Sequence, residues 1–366
     1  MIELLLKKLL QKKGSDLHLK VGNKPIIRVN GELERLEDEE PLRQDIMIGY
    51  VKQLVTNRKR QLELDDELST DFSYSVATLG RFRVNVSISR GSFVIVIRAI
   101  PFEIPTIEEL KLPQILKKLT KHQNGIVLVT GATGSGKSTT VASMLDYINT
   151  NSMRNIITFE EPIEYLHRDK NSILSQKEIP DDVKDYTTAL KYVLRQDPDI
   201  IFLGELRDQQ TIEAAIKASE TGHLVISTLH TISATKTITR ILDFFPPERS
   251  KSLRYQLSEN IRAVVSQRLL KTVDNSKRVV CEVLLNTGTV QELLVTEEGM
   301  RRIPEILKKS EQLGMQSFDT EILKLYRSGL IDFETAYEAC TVKTDIEMSR
   351  MGINSGSDNI NSYMEK

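Results

Sequence analysis

The sequence predicts an α/β protein in which an α+β N-terminal domain with an antiparallel sheet precedes a larger domain with a parallel sheet. Three observations predict it. Strand-like segments in the first hundred residues are joined by tight-turn pairs such as Asn30-Gly31 and Arg90-Gly91. From about Leu112, short apolar runs alternate with helical stretches, the pattern of a parallel sheet with crossover helices. A glycine-rich loop lies directly between one such run and the helix that follows it.

Taken in order, the chain opens on MIELLLKKLLQKKG, an amphipathic helix with lysines set into its apolar stretch. SDLHLKVG and KPIIRVNGEL follow as hairpin strands. In RFRVNVSIS, Phe82, Val84, Val86 and Ile88 alternate with Arg81, Arg83, Asn85 and Ser87, the period of a half-buried strand, so Arg81 and Arg83 share the polar face. The first domain is assigned to residues 1–100. Pro101, Pro105 and Pro113 interrupt regular structure and mark a linker over 101–113. The second domain, 114–272, holds the strands GIVLVT, NIITF, DIIFLGE and HLVISTL. Residues 273–345 read as mostly helical, with Leu307, Leu323, Leu325, Tyr326 and Leu330 suited to packing. The polar stretch 346–366 reads as a disordered tail.

GATGSGKS satisfies GxxxxGK[ST] at every fixed position, after a strand and before a helix, which is the context that gives the motif meaning. Gly131, Gly134 and Gly136, with Thr133 and Ser135 between them, let backbone N–H groups turn inward on phosphates at a helix N-terminus. Lys137 is positioned for the β- and γ-phosphates, the Ser138 hydroxyl for Mg²⁺, and Thr139 for the α-phosphate. The chemistry this pattern selects is binding of ATP with Mg²⁺.

Hydrolysis further requires groups that hold the metal and orient water. DIIFLGELRD is an apolar strand that delivers Glu205 at its end, where the metal would lie. FEEPIEY crowds Glu160, Glu161 and Glu164 beyond another strand; three like charges beside a triphosphate require Mg²⁺, arginines or a role in proton transfer. Glu164 is assigned as general base or water-positioner. In TGHLVISTLHT, His223 begins an apolar strand, and Thr228 and His230 end it, where polar groups can sense a γ-phosphate. Two histidines at that separation do not make a zinc site.

Composition narrows the function classes. Lys plus Arg number 50 against 51 acidic residues, a net charge of -1, and no global basic excess favours nucleic acid. Two distant cysteines, Cys281 and Cys340, argue against a disulfide framework and for a reducing cytoplasm. No apolar run approaches the ~18 residues that span a bilayer, so a membrane link is expected through a partner.

These motifs together resemble the secretion-ATPase superfamily, and within it the PilT/PilU group of twitching-motility ATPases. GSDLHLKVGNKPIIRVNGEL resembles that family's PAS-like N-terminal domain, and RFRVN with IRAIP its arginine-bearing hairpin. GATGSGKSTT resembles its Walker A motif, FEEPIEY its Asp box, LRQDPDIIFLGELRD its Walker B and TGHLVISTLHT its His box. The resemblance implies a RecA-like ATPase core and a homohexamer in which each N-terminal domain packs on the neighbouring motor domain. It implies Glu164 as catalytic acid/base, Glu205 as the Walker B acid, and His223 and His230 as couplers of nucleotide state. It also implies Arg81, Arg83 and Arg98 as arginines that approach the phosphates. The partners it implies are an inner-membrane pilus platform protein and a second retraction ATPase, with no direct nucleic acid.

Two features depart from the family pattern. Glu161 stands where the Asp box has aspartate, and the AIRNLIRE signature of PilT is missing, its place taken by a sequence nearer to PilU, while LRQDPD and the spacing of the motor motifs suit PilT and leave the two open. An assembly-direction or secretion ATPase of the same superfamily is the rival reading. A nucleic-acid motor on a RecA-like core is the remoter one, and it predicts a basic channel.

Overall fold

Asn30 and Gly31 both take positive φ, 50° and 92°, which is what a two-residue type I′ turn demands, and the strands on either side pair as a hairpin. The computed structural model in which this is seen describes residues 2–351 apart from Thr78 and Phe102, and divides into two compact units. One comprises Met1–Glu103 with Glu164–Leu166; the other comprises Ile104–Ile163 and His167–Lys366.

The first unit contains α1 (Ile2–Gln11), β1 (Asp16–Lys20), β2 (Ile26–Val29), β3 (Glu32–Arg35), α2 (Gln44–Leu54), α3 (Arg58–Glu67), β4 (Ser69–Val76), β5 (Gly80–Ser89) and β6 (Ser92–Ala99). Its strands form one antiparallel sheet in the order β3-β2-β1-β6-β5-β4. Ile2, Leu5, Leu6 and Leu9 recur at helical spacing on one face of α1 and are buried with Phe82, Val84 and Val86 of β5. Ile88, expected on the same apolar face, is 38% exposed, because it lies at the strand end beside the Arg90-Gly91 turn.

The second unit follows as α4 (Ile115–Leu119), β7 (Gly125–Gly131), α5 (Lys137–Asn151), β8 (Asn155–Glu160), β9 (Ile173–Glu178), α6 (Tyr186–Val193), β10 (Ile200–Leu203), α7 (Gln209–Glu220), β11 (Leu224–Leu229), α8 (Ala234–Asp243) and α9 (Ser250–Asn260). It continues with β12 (Ile261–Lys271), β13 (Lys277–Leu285), α10 (Gly288–Leu294), α11 (Glu297–Lys309), α12 (Phe318–Arg327), α13 (Phe333–Ala339) and α14 (Lys343–Arg350). The sheet order is β13-β12-β7-β11-β10-β8-β9, parallel throughout except for the β12–β13 pair. Ile126 and Leu128 of β7 face a core shared with α7, α8 and α9, while Val127 and Val129 face one shared with α5. Burial on both faces is why these strands read as unbroken apolar runs.

Residues 273–345 are mostly helical, as expected, apart from the edge strand Lys277–Leu285, in which Val279, Cys281 and Val283 join one core and Val280 another. Two expectations need correction. Leu330 is 46% exposed rather than packed, lying past the end of α12, whereas Leu307 and Leu325 are buried and Leu323 and Tyr326 partly so. The assigned tail begins in α14, whose Ile346 is fully buried against the α12–α13 cluster; residues 352–366 lie outside the described residues. Among the described residues no helix is long and apolar enough to cross a membrane.

Candidate active site

The strand β7 ends at Gly131 with φ 149°, and a Cβ built there would fall 2.4 Å from Ser135 Oγ and 2.6 Å from the Gln267 carbonyl oxygen. Only glycine fits between the loop and β12, where Gln267 is the register partner of Gly131. The loop then runs through Gly134 and Gly136, both of positive φ, and α5 begins at Lys137. This is a loop closed on itself at a helix N-terminus, the geometry that turns several backbone N–H groups toward one anion.

Lys137 Nζ donates to the carbonyl oxygens of Gly131 (2.9 Å) and Ala132 (3.0 Å), so the ammonium lies within the loop it follows. It is also 3.4 Å from His230 Nδ1. His230 Nε2 in turn lies 3.6 Å from Glu205 Oε1. Arg207 Nε donates to Glu205 Oε2 at 2.8 Å, and Arg207 Nη1 donates to Glu161 Oε2 at 2.7 Å. The hydrogen bond to Glu205, outweighing the desolvation of the guanidinium, holds the Arg207 pKa above its ordinary value. Lys137, His230, Glu205, Arg207 and Glu161 therefore form one connected chain of basic and acidic side chains. Its order follows the adjacent strands β7, β11, β10 and β8, from whose C-terminal ends these residues emerge.

Of the residues selected from sequence, the structure joins Lys137, Glu205 and His230 directly, and Gly131, Thr133, Gly134, Ser135, Gly136, Ser138 and Thr139 through the loop and the first turn of α5. Glu160 is buried, accepting from Thr158 Oγ1 (2.7 Å) and Gln176 Nε2 (3.0 Å), and so helps to hold β8 to β9. His223 is not part of the charge chain; its Nδ1 lies 2.9 Å from the Ala218 carbonyl oxygen at the end of α7. Glu164 is exposed and falls in the first unit, not with Glu160 and Glu161. Arg83 and Arg98 are cross-strand partners on β5 and β6; Arg98 Nε donates to Asp16 Oδ1 at 2.8 Å, and Arg83 lies 3.8 Å from Asp71. Arg81 lies two residues before Arg83 on the same strand.

Arg207 went unassigned in the sequence, although a signal was there. The crowded carboxylates of FEEPIEY required a cation, and an arginine stands two residues beyond Glu205. Gln267 was also missed: its Nε2 donates to Thr140 Oγ1 at 2.7 Å, tying β12 to α5, and no local pattern announces this.

The residues present fit a phosphate-bound divalent cation. Ser135 Oγ and Gln267 Oε1 are buried polar atoms without a hydrogen-bond partner among the described residues, both beside the loop. The loop from Ala132 to Ser135 lines a cavity of about 530 Å³ together with Gln267 and Arg268. Ser138 and Glu205 are the oxygen donors at hand. Among the described residues no group of three or more His, Cys, Asp or Glu could hold a metal alone. Such a donor set suits Mg²⁺, which keeps water and phosphate oxygens among its ligands.

A seven-stranded, mainly parallel sheet with a phosphate loop at the end of β7 and acids at the ends of β10 and β8 defines a RecA-like P-loop ATPase. Residues 1–328 match the family model described as type II/IV secretion system protein, and the chain belongs to that family. The type IV pilus retraction ATPase PilT of Pseudomonas aeruginosa is 39% identical over 329 residues, covering 90% of this chain and 95% of that protein. The type IV pilus ATPase PilU of the same organism is 38% identical over 369 residues, covering 99% and 95%. Among solved structures, that of the pilus retraction motor PilT with bound ADP matches with a TM-score of 0.87 at 38% identity, covering 94% of this chain and 98% of that one.

Proposed function

We propose that this chain is the subunit of a homohexameric motor that hydrolyses ATP to drive type IV pilus retraction. The observation that carries the ATPase part is the charge chain from Lys137 to Glu161 across the strand ends of a P-loop sheet. The direction is supported by the relative described as a retraction ATPase, and the pilus task by both pilus relatives, over nearly the whole chain.

In this reading, the backbone N–H groups from Gly131 to Thr139 and the Lys137 ammonium bind and orient the triphosphate. Lys137 exchanges its contacts with the Gly131 and Ala132 carbonyl oxygens for the β- and γ-phosphates. Ser138 and Glu205 would hold Mg²⁺, which would supply neutralisation of charge on the phosphate oxygens. Glu164 orients the attacking water and accepts its proton. His230, between Lys137 and Glu205, couples phosphate contact to the β11 end, and His223 relays the same change at the other end of that strand. Across the ring, Arg81, Arg83 and Arg98 supply positive charge to the transferred group. Positioning and electrostatics carry most of phosphoryl transfer, so no covalent enzyme intermediate is required. The ring works on an inner-membrane platform protein, alongside a second retraction ATPase.

The test is turnover of ATP by the purified chain. Lys137→Ala should lower turnover by about 10²–10³-fold, the scale of a lost charge-stabilising donor. Glu164→Gln should lower it by about 10²–10⁴-fold with nucleotide affinity retained, as loss of a general base does. Wild-type turnover in either variant removes that residue from the mechanism. A deletion strain should keep its pili and lose twitching; loss of pili would assign the motor to assembly instead.

A further inference from the structure

Arg207 occupies an uncommon position. Its two nitrogens hold carboxylates from different strand ends, Glu205 after β10 and Glu161 after β8, at 2.8 and 2.7 Å. The Glu205 oxygen that accepts from Arg207 Nε is Oε2, and Oε1 of the same carboxylate faces His230. Both oxygens of the acid proposed to hold the metal are therefore turned toward basic side chains. A divalent cation binds carboxylate oxygen at about 2.1 Å, and a guanidinium donating to the same oxygen opposes it both by occupying the lone pair and by charge. Arg207 can give up Glu205 without being stranded, because Glu161 remains as a second anchor.

We infer that Arg207 is a positioning residue that competes with the divalent cation for Glu205, with Glu161 as the anchor to which it retreats. The inference rests on the reading of Glu205 as the metal-side acid. It assigns a role to Glu161, the first residue after β8. The longer glutamate at 161 reaches the arginine that Glu205 also holds. The consequence is a site whose cation affinity is set below what its carboxylates alone would provide, so that cation binding and the release of Arg207 are one event.

Mn²⁺ titration of the purified full chain with ADP, read by electron paramagnetic resonance of free Mn²⁺, tests this without reference to turnover. Removing the competitor in Arg207→Gln should tighten Mn²⁺ binding about tenfold, the worth of one charge-assisted hydrogen bond. Arg207→Lys keeps the charge but loses the two-pronged grip, and should tighten binding about threefold; unchanged affinity there would mean that net charge alone is at work and would overturn the proposal. Glu161→Gln removes the anchor and should weaken Mn²⁺ binding about threefold, an effect that should vanish when combined with Arg207→Gln. An arginine that only ties two loops together predicts weaker or unchanged Mn²⁺ binding in both Arg207 variants, with a lower melting temperature. If Arg207→Gln fails to fold, Arg207→Lys and Glu161→Gln still decide by their opposite signs. Absence of Mn²⁺·ADP binding by the wild-type chain would break the ATPase reading itself; binding that Arg207 does not oppose would break only this inference.

Discussion

In the six-stranded sheet, Asp16 on β1 and Arg98 on β6 stand directly opposite one another, and Arg83 faces Asp71 across β4 and β5. Charge there lies on the sheet face, in a row from Asp16 through Arg98 and Arg83 to Asp71, because antiparallel neighbours place their ends at opposite edges. In the seven-stranded sheet, β7, β11, β10 and β8 run parallel, so their C-terminal ends meet at one edge. Five charged or titratable side chains from four strand ends gather there into one connected chain. The difference shows why chemistry concentrates in the second unit: parallel pairing brings several C-terminal strand ends to one edge, whereas antiparallel pairing sends alternate strand ends to opposite edges.

The largest effect expected from breaking this arrangement is at Gly131. Alanine there would press on Ser135 and the Gln267 carbonyl oxygen while adopting a φ that L side chains avoid. The cost should be about 3 kcal/mol, measured by urea unfolding, with nucleotide binding lost alongside it. A melting curve and an ADP affinity equal to wild type would show that the loop does not need its close seat on β12.

The second effect concerns shielding. His167, in the second unit, is held at a pKa of about 4, chiefly because burial disfavours the imidazolium, and its Nδ1 has no hydrogen-bond partner among the described residues. With a folded pKa below the unfolded 6.5, the unfolded chain binds the proton more tightly. Stability is therefore full above pH 6.5 and falls as the pH drops toward 4, by about 3 kcal/mol in all. His167→Gln should flatten that part of the stability–pH curve; an unaltered slope would mean that other groups carry it.

The smallest effect is expected in the first unit. Asp16 loses solvation by burial, yet hydrogen bonds from Ser15 and Arg98 more than offset this and keep its carboxyl below the ordinary aspartate range. Arg98 itself is 66% exposed, so Arg98→Ala should cost about 0.5–1 kcal/mol in thermal unfolding. A loss as large as that of Gly131→Ala would contradict the contrast between a dispersed face and a shared edge.

Much of the site is legible in the residues alone. GATGSGKS has one backbone solution, since glycines at those spacings after an apolar strand leave a phosphate loop as the outcome, and DIIFLGE places its acid at a strand end by the same reasoning. The type I′ turn at Asn30-Gly31 follows from the conformations that only such a pair tolerates. The edge strand Lys277–Leu285 is not legible in this way, because its alternation is masked by burial on both faces, and apolar runs of that length suit helix or strand equally.

Local residue types thus determined the loop, its lysine and the strand-end acids, since each depends on neighbours within a few positions. That Lys137, His230, Glu205, Arg207 and Glu161 form one chain in that order was decided only by the strand order β7-β11-β10-β8. Polar contacts between residues up to 93 positions apart depend on which strands hydrogen-bond side by side, and that is settled by burial of both sheet faces rather than by any local signal.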